Sequence, residues 1–149
     1  MKDLKLRFFT FGDLDLILKI EKSSFGEDAF SPETFLSLSR RFPDLFIIAE
    51  KNAKIVGYMI TCNLRHKGHV ISIAVDPSCR HMGVGSALAT FTFESLKTSG
   101  IENIELEVRK TNYEGVRFWE HLGFRLSEVV QRFYEDGEDA LRMKKVLNE

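Results

Sequence analysis

The sequence predicts an α+β fold, a mixed central sheet of about seven strands with four helices. Three observations carry that assignment. Apolar residues recur with period 2 in some blocks and period 3.6 in others. The blocks follow the order β-α-α-β-β-β-α-β-α-β-β. Near the end, Asp136-Gly137 between two strand-like runs is a hairpin signal. At 149 residues the chain is most simply one domain, 1–149, long enough to bury a sizeable core.

Residues 3–10 read as the first strand. Asp13 is placed to cap a helix with Leu14, Ile17 and Leu18 on one face. Ser31-Pro32-Glu33 opens a second helix: an N-cap, proline in the first turn, then an acid. Phe35, Leu38 and Phe42 are its apolar stripe. "LFIIAE" and "KIVGYMITCNL" are strands about a turn at Lys51-Asn52. "HVISIAV" is apolar on both faces, which predicts a central strand. In the third helix Val84, Ala87, Leu88 and Phe91 form the stripe, and Gly100 ends it. "IELEV" puts Ile104, Leu106 and Val108 on one face, Glu105 and Glu107 on the other. Asn112 caps a short helix that Gly123 closes, and "FRLSEVVQRFY" and "ALRMKKVL" are the last two strands.

Composition excludes several classes. A net charge of −1 with 29% charged residues gives no overall attraction to nucleic acid or an anionic membrane. No apolar run approaches the ~18 residues of a membrane span, and "MKDLKLRFF" lacks the pattern of a secretory signal. Cys62 and Cys79 are the only cysteines and lack CxxC spacing, so neither a disulfide framework nor a metal site is expected. A cytoplasmic location follows.

The stretch "AVDPSCRHMGVGSALA", 74–89, poses the functional question. A strand that stops and feeds a helix N-terminus aims unpaired N–H groups at one point, and the helix dipole adds positive charge. Such a site suits a phosphate, with Gly83 and Gly85 permitting close approach and Arg80 adding charge. The alternative is a tight turn whose glycines serve packing. The loop is neither a Walker motif nor GxGxxG.

Arg80-His81-Met82-Gly83-Val84-Gly85 resembles the Q/R-x-x-G-x-G/A loop of the GNAT acetyltransferases, after a strand ending "AVDP" and before an amphipathic helix. "GHVISIAV", "LEVRKTNYEGVRFWEHLGF" and "FYEDGEDALRMKK" resemble the protein N-terminal acetyltransferases, the archaeal and eukaryotic catalytic subunits and their RimI-like cousins. That resemblance implies the GNAT fold, acetyl-CoA as co-substrate and a protein or peptide N-terminus as acceptor. It implies that the loop, Arg80 through Ser86 with Val84 among them, binds the pyrophosphate. The thioester carbonyl would meet backbone N–H groups at Ile73, Ala74 and Val75, and Asn112 and Trp119 would flank the CoA arm. Where relatives carry a tyrosine near the CoA sulfur, this chain has Trp119, whose indole cannot act as an acid at pH 7.

Acetyl transfer needs a neutral amine. An α-amine has a pKa of about 7.7–8.0 and a lysine amine about 10.4, so an α-amine asks little of a general base. Three residues are candidates for the proton relay. Glu27 falls where archaeal relatives carry a glutamate facing the acceptor. His69 falls where they place a histidine near the amine. Glu107 matches the base proposed in RimI-like enzymes. By its own sequence each has a plainer reading, a solvated loop acid, a structural histidine and an exposed strand acid. Tyr134, with Glu27, is a candidate contact to the acceptor peptide, while Glu135, Asp136, Glu138 and Asp139 read as a solvated tip. Neither cysteine has a basic partner, which favours direct attack over a covalent intermediate. Three readings therefore stand: an N-terminal α-amine acetyltransferase, a GNAT enzyme acting on lysine or a small amine, and a non-catalytic acyl-CoA-binding subunit. Ribosome proximity or a homo-oligomer is compatible with the first, but no residue points to either.

Overall fold

A computed structural model describes residues 3–148. Its strands are β1 (Leu4–Phe8), β2 (Phe46–Lys51), β3 (Lys54–Leu64), β4 (Lys67–Val75), β5 (Asn103–Arg109), β6 (Arg125–Val130) and β7 (Ala140–Val146). Its helices are α1 (Leu14–Phe25), α2 (Pro32–Arg41), α3 (Val84–Thr98) and α4 (Tyr113–His121). The sheet order is β1-β2-β3-β4-β5-β7-β6, so β4 is the middle strand of seven, as its sequence predicts. β4 and β5 run parallel, whereas β1–β2, β2–β3, β5–β7 and β6–β7 are antiparallel. Gly68, Val70, Ser72 and Ala74 of β4 are buried and the residues between them half-buried. The strand is therefore less uniformly enclosed than its two apolar faces suggest.

The chain resolves into two compact units. One comprises the residues up to Cys62 together with Ile71–Ser95; the other comprises Asn63–Val70 together with Leu96 onward.

In the first unit α1 and α2 bury their stripes with the strands. Ile17, Ile20, Phe35, Phe46, Ile48, Tyr58, Ile60 and Ala74 form its main cluster. Phe9 stacks on Phe46 at 4.4 Å between centroids. Ser31 caps α2 as predicted, its Oγ accepting from the Thr34 amide at 3.2 Å. Asp13 acts differently from its predicted capping role. Its carboxylate turns back to accept from the Thr10 amide at 2.7 Å and from both terminal Arg7 nitrogens at 2.8 Å. The bidentate guanidinium outcompetes the helix amides for the carboxylate. Burial opposes ionisation of Asp13, but the Arg7 and Thr10 hydrogen bonds prevail and lower its pKa. The β2–β3 turn falls one residue later than expected, with Asn52 and Ala53 both at positive φ, the pairing a tight hairpin requires.

The predicted α3 stripe is also shifted. Val84, Leu88, Thr92 and Leu96 form the buried row, with Ala89 and Phe93 beside it. Phe91 instead lies edge-on to Phe8 at 6.5 Å and stays 36% exposed. Thr92 is tolerated inside because its hydroxyl donates to the Leu88 carbonyl at 3.0 Å. In the second unit Gly100, at φ 84°, closes α3: its amide reaches Lys97 O at 2.9 Å, and the Ile101 amide reaches Leu96 O at 2.9 Å. That bond pair is the Schellman arrangement. Ile104, Leu106 and Val108 are buried, with Glu105 and Glu107 on the other face, as their alternation predicts.

Candidate active site

The loop after β4 belongs to the first unit. Asp76 starts it, accepting from the Ser78 amide at 2.9 Å and the Ser78 hydroxyl at 2.6 Å. Those hydrogen bonds hold its carboxyl below the usual aspartate range. His81 (φ 63°) and Gly83 (φ 86°) both lie in the left-handed region, within the turn that precedes Val84 at the start of α3. The Ala87 amide makes the first bond of that helix, to Gly83 O at 3.0 Å. The amides of Val84, Gly85 and Ser86 therefore have no acceptor within the helix. Arg80 is engaged locally: its Nε donates to Val75 O at 3.2 Å and its Nη2 to Ser24 Oγ at 3.3 Å. The arginine thus ties the end of β4 to α1 while keeping its charge beside the loop. Gly57 explains how α3 comes so close. A Cβ there would lie 3.0 Å from Ala74 O, 3.3 Å from Val84 Cγ1 and 3.5 Å from Leu88 Cδ1.

Glu27 stands on a 3-10 turn, Gly26–Asp28, between α1 and α2, and is exposed. The far end of this loop is held by a residue that pattern reading missed. Glu21 is 1% exposed. Its Oε1 accepts from the Tyr58 hydroxyl and, at 2.7 Å, from Ser72 Oγ; its Oε2 accepts from the Phe30 amide at 3.0 Å. Burial, and then the neighbouring Glu21 charge, push the Tyr58 phenol far above its ordinary pKa, so it remains a donor. A signal for Glu21 existed in the sequence: it stands at i+7 from Leu14 on the apolar stripe, where a carboxylate must find partners.

The second unit unites the other two candidates. His69 Nε2 lies 2.7 Å from Glu107 Oε1, and Arg142 Nε donates to Glu107 Oε2 at 2.8 Å. Arg142 Nη1 continues to Glu128 at 2.6 Å. The register explains the row, since Arg142 of β7 faces both Glu107 of β5 and Glu128 of β6. Burial opposes the Glu107 charge, but the hydrogen bonds from His69 and Arg142 outweigh it and lower its pKa. An ionised carboxylate only accepts, so in its neutral form the imidazole must carry its proton on Nε2 and its lone pair on Nδ1. The registered β4–β5 pairs run from Lys67–Asn103 to His69–Glu105, so His69 stands at the last of them.

Of the remaining expected site residues, Ile73, Ala74 and Val75 end β4 in the first unit, whereas Asn112, Trp119 and Tyr134 lie in the second. Asn112 caps α4, its Oδ1 accepting from the Gly115 amide at 3.0 Å. Trp119 is buried, edge-on to Phe124 at 5.1 Å and to Phe118 at 4.8 Å. Its first role is core packing. Tyr134 is half-buried, with the Arg109 guanidinium 4.1 Å above its ring. Arg109 also bonds Asp136 and Glu138 at 2.9 Å, Thr111 bonds Glu138 at 2.6 Å, and Asp139 accepts from the Arg132 amide at 3.0 Å. The acidic tip is therefore tied by hydrogen bonds, with Glu135 and Asp136 exposed as expected and Glu138 and Asp139 half-buried. Hydrogen bonds, chiefly from the Glu138 amide, hold the Asp136 carboxyl below its usual range.

The acetyltransferase (GNAT) family model matches residues 14–124. The chain belongs to the GNAT family of acetyltransferases. As a GNAT protein it is an acetyltransferase, in a family whose donors are acyl-CoA thioesters. It is 32% identical to an N-alpha-acetyltransferase of Sulfolobus acidocaldarius over 152 residues, covering 93% of this chain and 90% of that protein. It is 34% identical to an uncharacterised N-acetyltransferase of Methanocaldococcus jannaschii, covering 94% and 90%. The crystal structure of Ard1 from Thermoplasma volcanium matches with a TM-score of 0.93 at 26% identity, covering 97% of each chain. The GNAT fold, α+β with a seven-stranded mixed sheet and four helices, is thus common to both. Among the described residues no helix is long and apolar enough to cross a membrane, and no cluster of His, Cys, Asp and Glu has the arrangement of a metal site.

Proposed function

We propose that residues 1–149 act as one domain that transfers the acetyl group of acetyl-CoA to the α-amine at a protein or peptide N-terminus. The observation that carries this reading is the imidazole of His69, held through Nε2 by Glu107 at 2.7 Å, so that its neutral form carries the lone pair on Nδ1. An imidazole is a base of modest strength, matched to an α-amine that is already partly neutral at pH 7 and poorly matched to lysine. Resemblance to an N-alpha-acetyltransferase of Sulfolobus acidocaldarius supports the same acceptor.

In this reading the CoA pyrophosphate takes the amides of Met82 through Ser86, and the thioester carbonyl is polarised by amides of Ile73, Ala74 and Val75. Asn112 and Trp119 flank the CoA arm, and Glu27 and Tyr134 contact the acceptor. The neutral amine attacks the carbonyl carbon, the C–S bond breaks, and the amine's surplus proton passes to His69 or Glu27, directly or through water. The thiolate departs without a side-chain acid, since a free thiol has a pKa of only about 8.5. Attack is direct rather than through an acyl-enzyme. Burial pushes the Cys62 thiol up, with only weak opposition from Arg41, so its thiolate is disfavoured. Action in the cytoplasm fits an enzyme drawing on acetyl-CoA.

Short peptides with a free α-amine should release CoA thiol at least tenfold faster than the same peptides blocked at the α-amine and carrying lysine. Equal rates, or faster turnover of the blocked peptides, would overturn the acceptor assignment.

A further inference from the structure

Among the described carboxylates that the chemistry above leaves unused, Glu21 is the most fully enclosed, at 1% exposure. It is a carboxylate inside the first unit, and three partners from three elements converge on it: Tyr58 of β3, Ser72 of β4 and the Phe30 amide of the α1–α2 loop. A core carboxylate of this kind costs stability relative to apolar packing unless hydrogen bonds satisfy its oxygens. Two of its partners are rigid strand residues. The third lies in the loop before α2, two residues ahead of Pro32 and three after Glu27. Within the loop Gly26 lies at φ 51° with its amide on Lys22 O, the Ala29 amide closes a turn onto Gly26 O at 3.1 Å, and the Phe30 ring meets Phe35 edge-on at 6.2 Å.

We infer that Glu21 is a positioning residue for the acceptor: its Oε2 pins the Phe30 amide and so holds the Glu27 loop in the shape that receives the peptide N-terminus. The inference rests on the acceptor reading proposed above. The same carboxylate bonds Ser72, the neighbour of Ile73, so one buried group fixes both the acceptor loop and the strand expected to meet the thioester.

Two perturbations separate anchoring from general packing. Glu21→Gln is nearly isosteric but keeps a single acceptor oxygen, so the Phe30 amide loses its acceptor when that oxygen stays on the Tyr58 and Ser72 hydroxyls. Phe30→Pro deletes the amide hydrogen itself, and the extended Ala29 (φ −61°, ψ 136°) is the conformation a following proline favours. Phe30→Ala is its control, losing the ring contact with Phe35 but keeping the amide. Glu21→Gln, and Phe30→Pro relative to Phe30→Ala, should raise the peptide KM on the order of tenfold. CoA affinity by calorimetry should change less than twofold. Hydrogen exchange across residues 26–29 should accelerate in both variants. Unchanged KM and exchange in a folded Glu21→Gln, or equal behaviour of Phe30→Pro and Phe30→Ala, overturns the inference. If Glu21→Gln fails to fold, the Phe30 pair decides. A wild-type enzyme inactive on peptide α-amines would defeat the acceptor reading instead, and the exchange data would then report the anchor on their own.

Discussion

Gly57→Ala probes the link between packing and cofactor binding. The added methyl would meet the Ala74 carbonyl at 3.0 Å, Val84 Cγ1 at 3.3 Å and Leu88 Cδ1 at 3.5 Å. The first neighbour is backbone and the others belong to the start of α3, so relief requires β4 or α3 to move by a few tenths of an ångström. Overpacking of this kind costs about 1–3 kcal/mol. For a chain of this length that corresponds to a Tm loss of roughly 3–10 °C. Both neighbours that must yield carry residues proposed to hold acetyl-CoA, so CoA affinity should fall about three- to tenfold, ~0.7–1.4 kcal/mol. Thermal unfolding with and without CoA, with calorimetric titration, measures both. Gly12→Ala is the control, because a Cβ there meets nothing within 4 Å. A Gly57→Ala protein with lowered Tm but wild-type CoA affinity would refute the proposed coupling of this contact to the cofactor loop.

Gly83→Val places a β-branched residue at φ 86°, a strained conformation costing about 1–3 kcal/mol; CoA affinity measured by calorimetry should fall at least tenfold. Combining Glu27→Gln with His69→Ala should cut turnover by about 10²-fold or more while changing CoA affinity less than twofold, as steady-state rates and calorimetry will show. Glu107 contributes stability at pH values above its ordinary value of 4.5, and that contribution disappears as pH falls through its lowered folded value. Glu107→Gln should therefore show a flatter loss of Tm on acidification from pH 5 to pH 3 than the wild type, together with slower turnover at pH 7.

The elements were legible because they depend on neighbours in sequence. Ser31 caps α2 and Gly100 closes α3 through bonds spanning five residues or fewer. The errors arose where a distant partner decided the outcome. Asp13 has every local mark of an N-cap, but Arg7 brings a charged fork to it from the preceding strand. Phe91 fits the helical stripe, yet Phe8 draws it aside. At the candidate site, the phosphate-type loop was visible because glycine spacing and the strand-to-helix change are local. The His69–Glu107 pair joins residues 38 apart, and only strand register brings them together. Glu21 lay in plain view on the α1 stripe, but its partners Tyr58 and Ser72 are 37 and 51 residues away. The exposed acidic tip is legible locally, but nothing near it in sequence reveals that Arg109 ties Asp136 and Glu138.

One peptide with a free N-terminal α-amine and an internal lysine tests the central claim most directly. It is incubated with acetyl-CoA and the enzyme, and the acetyl group is then located by tandem mass spectrometry. A single acetyl group on the α-amine is the predicted result. Acetylation of the lysine side chain with the α-amine left free, or an unmodified peptide under conditions where CoA binds, would contradict it.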